Sequence, residues 1–170
     1  MADAVDERAL YAVLGDREQR WNRRMELSRQ CDTLVSITLC LPLRYRNQDN
    51  WKSILRRRAD DVAEAMERGG FPAAGREELD GADGLCVFLL SRGGAELKRL
   101  CVTLEEDLPG GRFLDIDLTA DAPISRRDLG LPPRKCFVCG KSAAECVAAR
   151  THGEKEIDRA VKTALSEIEL

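Results

Sequence analysis

The chain has 170 residues, 27 of them Lys or Arg and 30 Asp or Glu, for a formal net charge of −3, and that length is one domain's worth of sequence. With 44% apolar and 34% charged residues, a packed core can form and the composition argues against disorder, while the lack of positive excess argues against a nucleic-acid binder. No run approaches the ~18 to 20 apolar residues of a membrane span, and the acidic start MADAVDERAL does not read as a secretory signal, so a soluble cytoplasmic domain is expected. Residues 1–30 read as a helical arm. Steps of three put Arg17, Arg20 and Arg23 near one face of it, either as a solvated surface or as an anion-binding edge. Leu34–Leu41 alternates apolar and polar and stops at Pro42, which predicts a strand. From Asp49 or Asn50, the positions Trp51, Ile54, Leu55, Ala59, Val62, Ala63 and Met66 follow at helical spacing, and Gly69-Gly70 ends the helix. Leu85–Leu90 is apolar throughout, which suits a strand covered on both faces. Leu97, Leu100, Cys101 and Leu104 mark a second amphipathic helix, broken by Pro109-Gly110-Gly111, and Arg112–Thr119 returns as a strand.

The segment from Asp121 to Arg134 is turn-rich, and Glu154 to Leu170 reads as a C-terminal amphipathic helix. This order predicts one α+β (or α/β) domain over residues 1–170, with a small mixed sheet of about three or more strands packed by helices. Residues 136–170 form a knuckle-like Cys/His segment followed by the last helix.

Three segments carry chemistry. In GRFLDIDL, strand alternation projects Phe113, Asp115 and Asp117 from one face and Arg112, Leu114, Ile116 and Leu118 from the other. Carboxylates two residues apart on one face lie roughly 6 to 7 Å apart at the backbone and can converge on a hard cation such as Mg²⁺. Such an ion clamps phosphate oxygens in a phosphoryl or nucleotidyl transfer. The plain alternative is a solvated strand face. In ISRRDLGLPPRKC, Ser125 and Asp128 have capping-box spacing, and Arg126, Arg127, Arg134 and Lys135 surround a stiff Pro132-Pro133 pair. Arginine forks there suit a polyphosphate. Finally, Cys136, Cys139, Cys146 and His152 give C-x2-C-x6-C-x5-H, the ligand types of a structural Cys₃His zinc site. In one unbroken helix, positions six apart would diverge by ~120°, so coordination requires a break near Thr151 to Gly153. Zinc and unmetallated thiols both stay open. The remaining four of the seven cysteines read as small buried hydrophobes.

Together GRFLDIDL, ISRRDLGLPPRKCFVC and the Cys146-to-His152 stretch closely resemble the CitX family, the citrate lyase holo-acyl-carrier-protein synthases. The family's order is LGR-aromatic/leucine-DIDV, then SRRD-x-x-LPPRRCLLC, then AAxCAR…H. The DREQR-x-x-R and LVSITL segments are similar to its RDER-x-x-R arm and LVSFT strand. Two departures stand out: Pro42-Leu43-Arg44 replaces a Pro-Gly-Pro turn, and Trp21 and Arg24 replace glutamines.

The resemblance implies an enzyme that moves a phosphoribosyl-dephospho-coenzyme A unit from triphosphoribosyl-dephospho-coenzyme A to a serine of the acyl-carrier (gamma) subunit of apo citrate lyase. Pyrophosphate leaves, a nucleotidyltransferase-type reaction. On that reading Asp115 and Asp117 hold Mg²⁺; the resemblance names no base for the serine, and a spare oxygen of Asp117 is the candidate. Arg112, Arg126 and Arg134 neutralise phosphate, and Arg17, Arg20 and Arg23 extend that surface. A transferase for another carrier protein, such as that of malonate decarboxylase, and a non-catalytic zinc-knuckle module are the alternatives.

Overall fold

A computed structural model describes residues 7–168. Strand β1 (Thr33–Leu39) is the middle of a five-stranded sheet. It continues through β3 (Gly84–Ser91) to β2 (Gly75–Gly81) on one side, and through β4 (Leu114–Thr119) to β5 (Pro123–Ile124) on the other. Every neighbouring pair is antiparallel. The α+β class therefore holds, but the expected mixed sheet is corrected to an antiparallel one. β3 and β4 do point the same way, yet β1 lies between them, so the helical crossover never creates a parallel pair.

Register decides which side chains meet. Val35 faces Leu89 and Leu118 across the strands, Ile37 faces Val87 and Ile116, and Leu39 faces Leu114. These rows build one apolar face, covered by α3 (Asp49–Arg68), α4 (Gly94–Asp107) and α6 (Glu154–Ile168) through Trp51, Leu55, Val62, Met66, Leu97, Cys101 and Val161. On the opposite face Leu34, Cys86 and Phe88 are buried against Leu27 of α1 (Glu7–Ser28). β1 is thus covered on both sides, although its sequence alternates.

The same register aims Asp115 and Asp117 at the second face, beside Thr38 and Ser36. Burying Ile116 and Leu118 is worth about 1.5–3 kcal/mol apiece. Turning the strand over would instead bury both carboxylates among apolar side chains at a far larger cost, so packing sets the strand's orientation. The strand starts later than Arg112, because Gly111–Phe113 form a 3₁₀ turn. Phe113 consequently leaves the aspartate face and packs in the core, its ring 5.6 Å from Trp51 and 5.1 Å from Phe137.

The hairpin strand β2, GREELDG, is nearly all polar and went unforeseen. It is held by pairing with β3 and by three ion pairs to α3: Lys52–Asp80 and Arg56–Glu78, both 2.8 Å, and Asp60–Arg76. Four-residue steps on the helix, ~6 Å, match two-residue steps on the strand, ~6.7 Å. Of the predicted N-terminal arm, residues 1–6 lie outside the described residues, as do 169–170 of the last helix. Two short helices, α2 (Leu43–Arg46) and α5 (Ala143–Ala148), complete the chain.

Candidate active site and an adjoining Cys/His centre

Because α1 crosses the second face over β1, β2 and β3, the β4 end of that face stays open as a cleft of about 260 Å³. Its charged lining is four cations (Arg24, Lys98, Arg126, Arg134) and three carboxylates (Glu105, Asp115, Asp117). Arg134 Nη1 donates to Asp115 Oδ1 at 3.1 Å, and Arg24 Nη2 donates to Asp117 Oδ2 at 3.2 Å while its Nε reaches Ser36 Oγ. The other oxygens, Asp115 Oδ2 and Asp117 Oδ1, accept no hydrogen bond from the described residues. Desolvation first, and then the neighbouring Asp117 charge, push the Asp115 carboxyl above its ordinary value. Two unbonded hard oxygens in a site that disfavours a second negative charge fit a Mg²⁺ ion.

The wall of the cleft solves a backbone problem. β5 pairs only with Leu118 and Thr119, so farther back along this edge Ile116 has no strand partner. Glu105 Oε1 accepts its N–H at 2.8 Å and Lys98 Nζ donates to its C=O at 2.6 Å, both side chains reaching over from α4. Each residue is only 5% exposed, so a buried charge here is tolerated because it is bonded. Glu105 also binds Arg126 through Oε2, and Arg126 reaches Glu106 at 2.9 Å. Arg134 Nη2 lies 3.4 Å from Glu105 Oε1 but off hydrogen-bond geometry, leaving this buried donor without a bond. Ser125 and Asp128 close the loop as their spacing predicts, with Ser125 N–H and Oγ donating to Asp128 Oδ2 at 2.9 and 2.6 Å.

The fold thus brings Asp115, Asp117, Arg126 and Arg134 together. Arg112 stands next door, in a hollow of about 180 Å³ shared with Glu105, Arg126 and Arg134. Arg17, Arg20 and Arg23 are not brought in. Arg17 and Arg20 converge on Asp83 in the β2–β3 turn, joined by Arg46, and Arg23 grips Glu77 of β2. That is the far edge of the sheet, with β3 and β1 between it and β4. The missed residues are Arg24, Lys98 and Glu105. Lys98 and Glu105 did leave a signal: they sit seven apart among the apolar positions Leu97, Cys101 and Val102.

The Cys/His centre lies outside the cleft lining. The ligand atoms of Cys136, Cys139, Cys146 and His152 all lie within 4.8 Å of one another, a group that can hold a metal ion. The helix break that the spacing requires is present, slightly earlier than expected. α5 ends at Ala148, Thr151 N–H donates to Cys146 O at 3.0 Å, and Arg150 takes a φ of 47°. A backbone N–H of Lys141 and the neighbouring sulfurs hold the Cys139 thiol down at about 7, whereas desolvation and the adjacent thiols push Cys146 up to about 11.

Over residues 8–168 the sequence matches the CitX family, apo-citrate lyase phosphoribosyl-dephospho-CoA transferase. The probable apo-citrate lyase phosphoribosyl-dephospho-CoA transferase of Streptococcus pyogenes serotype M18 is 30% identical, across 92% of this chain and 84% of that protein. The Citrobacter koseri apo-citrate lyase phosphoribosyl-dephospho-CoA transferase is 32% identical, across 85% and 81%. Protein CitXG of Leuconostoc mesenteroides is 30% identical over 86% of this chain, which corresponds to 32% of that longer protein. With a family match from α1 to the end of α6, this chain belongs to the CitX family of apo-citrate lyase phosphoribosyl-dephospho-CoA transferases.

Proposed function

We propose that this transferase attaches phosphoribosyl-dephospho-coenzyme A to a serine of the acyl-carrier (gamma) subunit of apo citrate lyase, in a nucleotidyltransferase-type reaction. The observation that carries the reading is the pairing of Asp115 and Asp117 on one strand face, each with an unbonded oxygen, inside a ring of four cations. Asp115 and Asp117 hold Mg²⁺, which when bound supplies charge neutralisation to the triphosphate oxygens. The serine Oγ forms a bond to the ribose-linked phosphorus, the bond from that phosphorus to the bridging oxygen breaks, and pyrophosphate leaves with the electron pair. The serine proton passes in the same step to a water molecule in the open cleft.

The chain's own residues orient and neutralise. Arg134 and Arg126 line the cleft side by side, both held by Glu105. A fixed donor aimed at developing charge is worth more in a partly enclosed cleft than in water. Arg24 and Lys98 bound the other sides, and Arg112 extends the basic surface into the adjoining hollow. None of the seven cysteines is in a disulfide, which suits a reducing cytoplasm, and among the described residues no helix is long and apolar enough to cross a membrane.

The test is intact mass of the apo carrier subunit after incubation with this protein, Mg²⁺ and triphosphoribosyl-dephospho-coenzyme A. The expected gain equals the precursor less pyrophosphate and disappears when the metal is chelated. No gain on this carrier, with gain on another organism's or another enzyme's carrier, reassigns the acceptor. No gain on any carrier contradicts the reaction.

A further inference from the structure

We propose that Cys136, Cys139, Cys146 and His152 bind a zinc ion, and that this ion positions Arg134 in the cleft. Three soft sulfur ligands and one imidazole, gathered within 4.8 Å, are a donor set that favours zinc over the hard cations carboxylates select. A second observation points to a ligand: His152 Nε2 is buried against the Cys139 thiol and meets no protein group in hydrogen-bond geometry. A buried polar nitrogen normally has a hydrogen-bond partner. The backbone is also shaped around the sulfurs. Val138 N–H donates to Cys136 Sγ at 3.4 Å, Gly140 N–H donates to Cys136 O at 2.9 Å, and Gly140 takes the left-handed φ of 74° that closes a C-x2-C turn. At the other end, the positive φ of Arg150 turns the chain out of α5 and brings His152 back toward Cys146.

Connection to the cleft runs through a two-stranded clip. Lys135 and Ser142 form an antiparallel bridge, Cys136 N–H donates to Lys141 O at 2.6 Å, and Ala143 N–H donates to Arg134 O at 2.8 Å. Arg134 therefore opens a hairpin that Ala143 closes and whose tip holds Cys136 and Cys139. Phe137, next to the first ligand, packs on Phe113 at the start of β4. Three main-chain bonds are little to fix a ten-residue hairpin against its chain entropy. A tetrahedral ion joining the tip to α5 and to His152 supplies that constraint. Arg134 is then delivered to Asp115 and Glu105 as part of a rigid unit, and it acts as the positioned residue while the zinc ligands touch no substrate.

Metal analysis of the purified full chain should find about one zinc per chain. Exchange of that zinc for cobalt should give the thiolate charge-transfer and d–d bands of a tetrahedral site. His152→Ala should lower zinc affinity, and His152→Cys, which keeps four ligands, should restore it. Hydrogen exchange reads the positioning: stripping the metal should expose the amides of residues 134–143 while those of β1 and β3 stay protected. Inorganic pyrophosphate should then bind on the order of tenfold more weakly, and stripping should add little to an Arg134→Ala variant. Zinc far below one per chain, or cobalt without tetrahedral bands, overturns the site. Zinc binding that is indifferent to His152→Ala overturns the ligand set. Loss of protection across the whole sheet, or none at residues 134–143, overturns the positioning role. Only the pyrophosphate arm rests on the proposed function: if Arg134→Ala alone leaves pyrophosphate binding intact, the phosphate reading of the cleft fails while the metal and exchange results still decide the zinc site.

Discussion

At the scale of single residues, the cleft is a set of charges whose balance is incomplete without a ligand. Asp115 shows this most directly, since its carboxyl is raised by desolvation and by Asp117 more than Arg134 lowers it. A carboxyl whose folded value exceeds its unfolded one binds more protons when folded, so its contribution to stability is full below the unfolded value and is lost as pH rises through the folded one. Asp115→Asn is therefore expected to raise the melting temperature at neutral pH, with the gain shrinking as pH falls into the carboxylate range. Added Mg²⁺ should raise the wild-type melting temperature more than that of the variant. A melting temperature lowered by Asp115→Asn at neutral pH, or an equal response to Mg²⁺, would contradict this account of the pair. Glu105 stabilises the cleft through its bonds. It neutralises Arg126 and Arg134 and caps the Ile116 N–H while buried, so Glu105→Ala is expected to cost about 3–5 kcal/mol in denaturant unfolding. Lys98→Met, which strips the donor from Ile116 O, should cost about 1–3 kcal/mol.

At the scale of elements, legibility followed apolar patterning. α3 was readable because Trp51, Ile54, Leu55, Ala59, Val62 and Met66 recur at helical spacing and are indeed its buried residues. β2 was not, because an edge strand made of Arg76, Glu77, Glu78 and Asp80 carries no apolar period; its pairing and its ladder to α3 are tertiary facts. β5 is two residues long and gives no period at all. The Pro109-Gly110-Gly111 break was legible, and the structure adds why it is glycine. Gly110 has a φ of 74°, and a Cβ there would lie 2.3 Å from Ile168 Cδ1 of α6. Gly110→Ala should destabilise by about 1–3 kcal/mol in chemical denaturation, whereas Gly70→Ala meets no atom within 4 Å and carries only the backbone cost of its φ of 84°. Equal losses at the two sites would show that contact with α6 does not matter.

For the whole molecule, the chemistry-bearing motifs were legible and their arrangement in space was only partly so. Asp115 and Asp117 on one strand, and the basic loop after them, follow from local alternation and residue type. The reach of the N-terminal arginines does not, since a helix face has no address until the sheet order is known. With β2 and β3 placed beyond β1, Arg17, Arg20 and Arg23 fall on the hairpin edge and are consumed by Asp83 and Glu77, while Arg24, one position round the helix, meets Asp117. Lys98 and Glu105 left a signal among the apolar positions of α4, but what they cap could not be read, because the edge they meet exists only where the short β5 stops.

The measurement that tests the central claim most directly is the rate of pyrophosphate release from triphosphoribosyl-dephospho-coenzyme A with apo carrier subunit and Mg²⁺, for Asp117→Asn and Arg17→Ala beside the wild type. Asp117→Asn should lose on the order of a hundredfold or more while remaining folded. Arg17→Ala, altering a half-exposed ion pair at the far edge, should stay within about twofold. Undiminished release by folded Asp117→Asn, or a collapse of release in Arg17→Ala, would place the chemistry somewhere other than this cleft.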